Sequence, residues 1–186
     1  MECRQHGFSQ HGFTLIEALI AMAVVAIGLG IAVPAYSNVA AATHMGAARV
    51  ALAESLLGSL NHATITETEV VVCSSNDGVA CSGSVDWSHG WIAFADIDGN
   101  RVRGPNETLL RRQTPLEGGT HIRSTAQRTH IVFQPHGGAT AGSNVTFTLC
   151  DARGPDKATT VVLANSGRMR QGTPTPAAAM ACVYSG

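Results

Sequence analysis

The run from Phe13 to Val33 constrains this chain more than any other stretch. Ala18 to Val33 is sixteen residues without a charge, a cysteine or a strong hydrogen-bonding side chain. With residues 13–16 added, the run reaches about 20 residues, the length a helix needs to cross a hydrocarbon core. One carboxylate, Glu17, stands inside it. An unpaired charge is costly to bury, so an ionisable side chain in a membrane segment usually marks function. A secretory signal peptide would place a small-x-small cleavage site after such a run, and Ala32-Val33-Pro34-Ala35 passes loosely for one. Arg4 as the leader's only basic residue, and Glu17 inside the run, both argue against that reading.

Gly12-Phe13-Thr14-Leu15-Ile16-Glu17, followed by Ala18-Leu19-Ile20, closely resembles the cleavage and assembly signature of type IV pilins and type II secretion pseudopilins. The resemblance implies that residues 1–12 are a prepilin leader. A prepilin peptidase would cut between Gly12 and Phe13 on the cytoplasmic side, and the new N-terminus would be methylated. Glu17 becomes the fifth mature residue and would pair with the N-terminal amine of a neighbouring subunit, setting the stagger of a filament. Other pilins and the inner membrane are the implied partners.

The 186 residues allow one modest domain plus an anchor, with 13% charged residues and a net charge of −1. The total hides an asymmetry. Residues 49–100 carry one basic and seven acidic side chains, whereas residues 101–170 carry ten basic and four acidic. A cationic C-terminal half is a plausible anion-binding surface. Cys3 lies in the leader, leaving Cys73, Cys81, Cys150 and Cys182, an even number suited to an oxidising compartment. Three pairings are possible. Cys73–Cys81 across a Ser/Asn/Asp/Gly turn and Cys150–Cys182 tying the tail to a strand is the favoured one. The C-x7-C spacing fits a metal site poorly.

The apolar run should continue as one helix over residues 13–61, with its membrane and assembly segment at 13–33 and a kink at Pro34. Beyond Pro34, Val39, Ala42, Gly46, Val50, Ala53, Leu56, Leu57 and Leu60 recur at helical spacing. From residue 62 to 186 a β-rich head with a C-terminal tail is expected. Its candidate strands are 64–73, 90–96, 108–112, 120–124, 130–134, 144–150 and 159–163, separated by Gly, Pro, Asn and Asp turns. The segment Gln171-Gly172-Thr173-Pro174-Thr175-Pro176 reads as a loose tail until Cys182 pins it. The expected class is α+β and type IV pilin-like, a long N-terminal helix packed on an antiparallel β-sheet head.

Asp86-Trp87-Ser88-His89-Gly90-Trp91-Ile92-Ala93-Phe94-Ala95-Asp96, with Asp98-Gly99-Asn100 after it, resembles the head of the GspH/FimT family of minor pilins and pseudopilins. The two tryptophans read as packing residues near the sheet edge. Asn165-Ser166-Gly167-Arg168-Met169-Arg170 is similar to the G-R-x-R motif of the family's DNA-binding, FimT-type members in naturally transformable bacteria. That resemblance implies a minor type IV pilin that binds double-stranded DNA and supports its uptake, sited in the inner membrane with a periplasmic head and then in an extracellular pilus. The alternative it leaves open is a minor pseudopilin with a structural role at the tip of a type II secretion pseudopilus. Arg168 and Arg170, two apart on an extended chain, would project to one side. Gly167 would let the backbone approach a phosphate, and guanidinium forks suit phosphate oxygens. Arg111, Arg112, Arg153 and Lys157 are possible supporting cations. No aromatic is interleaved with them, so the contact should be to phosphate rather than stacked bases.

Other chemistries fit worse. Asp96-Ile97-Asp98-Gly99-Asn100 lacks the spaced third ligand and terminal Glu of a calcium loop and reads as a β-turn. The eight histidines are scattered without an H-x-x-x-H pair. Asp86, Ser88 and His89 are sequence neighbours, which rarely face one another productively as a catalytic triad. No cofactor, metal or enzymatic activity is expected.

Overall fold

The computed structural model describes residues 14–184, so the expected cut between Gly12 and Phe13 lies outside the described residues. The chain divides after Asn38 into two compact units. Helix α1, Leu15–Thr66, runs through both.

In the first unit α1 is exposed on every side and contains an 18-residue window of mean hydropathy 2.5, none of it buried. That is the length and composition of a membrane span. Thr14 caps the helix, its Oγ1 accepting the Glu17 N–H at 3.3 Å. Thr14-x-x-Glu17 therefore has the spacing of a capping box, with the Glu17 carboxylate in the first turn, where the helix dipole favours negative charge. Pro34 sits inside α1 and withholds one amide from the ladder.

In the second unit α1 turns one stripe inward: Met45, Ala48, Leu52, Ser55, Leu56, Ser59 and Ala63 are buried. The helix ends at Thr66, five residues beyond the expected Asn61. No glycine marks the stop. Glu67 takes the left-handed conformation instead, with φ 54°.

Among the described residues eight strands follow: β1 Glu69–Ser74, β2 Trp91–Asp96, β3 Leu109–Gln113, β4 His121–Ser124, β5 His130–Phe133, β6 Val145–Cys150, β7 Thr159–Leu163 and β8 Met169–Gly172. They form two antiparallel four-stranded sheets, ordered β3-β2-β1-β5 and β4-β6-β7-β8. The inner faces of both sheets meet the α1 stripe in one core that holds Val70, Val72, Ile122, Ile131, Phe133 and Leu149. Trp87 and Trp91 are fully buried in that core, not at a sheet edge. Each indole N–H finds a hydroxyl, Trp87 Nε1 donating to Ser124 Oγ at 3.2 Å and Trp91 Nε1 to Ser55 Oγ at 3.0 Å. Phe147 meets Trp87 edge-on with centroids 5.0 Å apart. Gly90 precedes Trp91 with φ 113°, and a Cβ there would collide with the Gln113 carbonyl, so only glycine allows β2 and β3 to approach there.

The C-terminal segment is ordered where a loose tail was expected. Residues 169–172 add β8 to the edge of the second sheet, and α2, Pro176–Tyr184, follows. Thr175 Oγ1 accepts the Ala178 N–H at 3.3 Å, and Pro176 opens the helix. Thr-Pro before an alanine run is an N-cap with proline at the first helical position, not a linker. Two disulfides tie the head together. Cys73–Cys81 closes the loop after β1, and Cys150–Cys182 joins β6 to α2.

Acid should weaken this fold. Asp77 is held below the ordinary carboxylate value by the Ala80 and Val79 amides. Burial raises Asp86 and Asp151, but Ser88 donors more than offset this for Asp86, as Arg153 does for Asp151, and both end lowered. Groups lowered on folding contribute stability above their unfolded value of 3.8, and lose it as pH falls through their folded values. Asp96 acts in the opposite sense, because burial raises it. The His130 imidazole, lowered by burial, adds to the loss on acidification. With four groups against one, the melting temperature should be lower at pH 3 than at pH 6. An equal or higher value at pH 3 would contradict these assignments.

Candidate nucleic-acid interface

β7 and β8 form a hairpin around Asn165-Ser166-Gly167. The Gly167 N–H donates to Ala164 O at 2.9 Å and the Ala164 N–H to Arg168 O at 3.0 Å. Gly167 has φ 79°, as in a three-residue hairpin loop with glycine at the left-handed position. Its surroundings correct the sequence-based role. Gly167 is buried, and a Cβ would lie 2.8 Å from Leu60 Cδ2 on α1. The residue is glycine because the hairpin tip packs against the helix, not because a phosphate approaches there. Asn165 O also accepts the Ala139 N–H at 2.7 Å, anchoring the tip to the β5–β6 connection.

This anchoring presents the arginines. Met169 packs against the core, and Gln171 Oε1 accepts from Arg49 Nη1 at 3.1 Å. Arg168 and Arg170, alternating with them, project away from the core and are exposed. Neither guanidinium group has an ion-pair or hydrogen-bond partner among the described residues.

The possible supporting cations are not gathered beside them. Arg153 is bound by Asp151, with Nη2–Oδ2 at 2.7 Å and Nε at 3.0 Å from both carboxylate oxygens. Its side chain is 19% exposed and that of Asp151 0%, so Arg153 is the partner of a buried carboxylate and is withdrawn as a DNA ligand. Arg112 donates from Nε to Gly78 O at 2.8 Å, holding the Cys73–Cys81 loop. Arg111 is exposed beside Gly58 of α1, on the edge strand of the other sheet. Lys157 is exposed in the 3-10 turn Pro155–Lys157.

Two cations that sequence reasoning passed over do stand near Arg170. Arg123 lies on β4 and Arg128 in the loop after it. Arg123 lines one hollow with Arg170, of about 660 Å³, and Arg128 lines another with it, of about 520 Å³. The signal for them was topological: strand order 4-6-7-8 places β4 and β8 on opposite edges of one sheet face. The acidic loop after β2 gathers Asp96, Asp98 and Glu107, whose ligand oxygens lie within 4.8 Å of one another. Asp96 accepts the Gly99 and Arg101 N–H groups, and Glu107 those of Ile97 and Gly104, so these carboxylates organise the loop.

A helix with an apolar first half and an amphipathic second half, followed by an antiparallel β head, defines a type IV pilin-like subunit. Residues 51–167 match the family described as Type II transport protein GspH, and residues 7–33 match the Prokaryotic N-terminal methylation motif. The chain belongs to the GspH family, whose pilin and pseudopilin members are structural components rather than enzymes. The methylation motif implies processing by a prepilin peptidase. Among solved structures, the Pseudomonas aeruginosa type IV minor pilin FimU is similar with TM-score 0.55 at 15% identity, over 73% of this chain and 91% of that one. The Vibrio cholerae minor pseudopilin EpsH of the Type 2 Secretion System aligns with TM-score 0.50 at 14% identity, over 70% and 98%. At such identities the likeness establishes the fold. No curated protein sequence matches the chain.

Proposed function

We propose that this chain is a minor type IV pilin whose head binds duplex DNA through phosphate contacts from Arg168 and Arg170, supporting DNA uptake in natural transformation. One observation carries the reading: both guanidinium groups are exposed and unpaired among the described residues, on a hairpin that is itself firmly anchored. The fork of each can engage two phosphate oxygens without first breaking an ion pair. Residues 13–33 anchor the subunit in the inner membrane before assembly, with the disulfide-bonded head in the periplasm. Cleavage falls between Gly12 and Phe13, and Glu17 guides entry into the filament. Lys157 and Arg111 lie elsewhere on the head and contribute at most long-range attraction.

The second reading, a minor pseudopilin at the tip of a type II secretion pseudopilus, is equally compatible with the GspH match. DNA binding separates the two. The full mature chain in nonionic detergent should bind a fluorescent duplex with Kd of roughly 10⁻⁴ to 10⁻⁶ M, weakening as salt rises. Arg168→Gln with Arg170→Gln should weaken binding roughly 100-fold, the loss of two charge-assisted contacts. The slope of log K against log salt should flatten by about 1.8. Unchanged binding by the double variant removes the site, and no binding by the parent chain favours the secretion reading.

A further inference from the structure

We propose that the outer face of the sheet β4-β6-β7-β8 is a trough that seats one sugar–phosphate strand of the duplex, with Arg128 as the anchor opposite Arg170. This rests on the DNA-binding reading above and extends it from a hairpin tip to a built surface.

The trough follows from strand register. Arg170 pairs with Val162, Val162 with Thr146, and the Thr125 N–H donates to Thr146 O at 2.9 Å. These four residues therefore form one transverse row on the face away from the core. The two hollows of about 660 and 520 Å³ share the whole row, so they are two ends of one depression. A parallel row, Arg123, Thr148, Thr160 and Gly172, lies two residues along the strands. Three interstrand spacings make the floor about 14 Å across. A DNA strand carries one phosphate per 3.4 Å of axis, so about four phosphates span it.

The chemistry of the lining selects a polyanion that brings its own shape. No carboxylate lines either hollow among the described residues, while Arg123, Arg128 and Arg170 do. Arg128 donates from Nε to Asn144 O at 3.1 Å, which fixes its guanidinium plane, and it has no carboxylate partner among the described residues. Arg123 shares its charge with Asp86, to which its backbone is bridged, so the weight falls on Arg128 and Arg170. The half-buried Thr146 side chain supplies a hydroxyl of the kind that donates to phosphate oxygens, whereas Thr148 and Thr160 are buried and only complete the floor. No aromatic lines the floor, so bases are neither stacked nor read, and binding is sequence-independent.

The test uses the full mature chain in nonionic detergent and a labelled duplex, with circular dichroism confirming the fold of each variant. Arg128→Gln should weaken binding about 10-fold and flatten the salt slope by about 0.9, whereas Arg128→Lys should recover part of the loss. Thr146→Glu, which sets a carboxylate in the floor without touching an arginine, should weaken binding at least as much. Arg101→Gln, which removes an equal charge outside the trough, should change affinity less than 3-fold. The trough is overturned if Arg128→Gln and Thr146→Glu bind like the parent while the Arg168/Arg170 double variant does not. It is equally overturned if Arg101→Gln matches Arg128→Gln, since general charge would then suffice. If the parent chain itself fails to bind, the DNA-binding reading falls first and the trough with it.

Discussion

Trp91→Ala should lower the melting temperature by roughly 6–20 °C. Trp91 is fully buried where α1 meets both sheets, in the core that also holds Trp87 and Phe147. Removing a buried Trp side chain typically costs about 3–5 kcal/mol, because the cavity collapses only in part. For a domain of this size each kcal/mol moves the midpoint by about 2–4 °C. Trp91→Phe should cost less, because it keeps most of the volume and loses the Nε1–Ser55 bond, while Ser55 Oγ retains its own bond to Ala51 O at 2.8 Å. Thermal melts of the three proteins check the order. A shift below about 3 °C for the alanine variant would mean that the core does not depend on this residue.

Cys150→Ser with Cys182→Ser should lower the unfolding free energy by about 2–5 kcal/mol and release α2 from the head. The bridge spans 32 residues of sequence, long enough for its removal to add appreciable freedom to the unfolded chain. Little else holds α2. Its nine residues bury only Ala179 and Cys182, and isolated helices under about 12–15 residues are marginal in water. Hydrogen exchange should therefore show residues 176–184 losing protection while β6 and β7 keep theirs. Protection retained in α2 would show that packing alone suffices. Because Ala178 and Ala181 form one wall of the trough, the variant should also bind DNA more weakly than the parent.

Seven of the eight strands were legible because alternation and turn residues are local signals. Val145-Thr146-Phe147-Thr148-Leu149 alternates in sequence, and β6 buries Val145, Phe147 and Leu149 as that pattern expects, although Thr148 is buried as well. Strand β8 is less legible, because Arg168-Met169-Arg170 sets a single apolar residue between two charges, although Asn165-Ser166-Gly167 is a hairpin signal. The helix end was misplaced because Glu67, not glycine, adopts the left-handed turn. Glu107, which comes to the Asp96–Asp98 pair from nine residues beyond Asp98, could not be anticipated from a motif written in consecutive positions.

What the amino-acid order settled alone was everything governed by neighbours along the chain. That covers the apolar span with its stranded Glu17, the amphipathic continuation of the helix and the alternating strands. Tertiary structure decided which arginines are available. Arg153 looks as free in sequence as Arg170, yet a buried Asp151 holds it, and Arg128 drew no attention until strand order set it across a sheet face from Arg170. The reason is physical: helix and strand periodicity arise from contacts a few residues apart, whereas the burial that commits Asp151 to Arg153, only two residues away, and the sheet face that Arg128 shares with Arg170 depend on how the whole head packs.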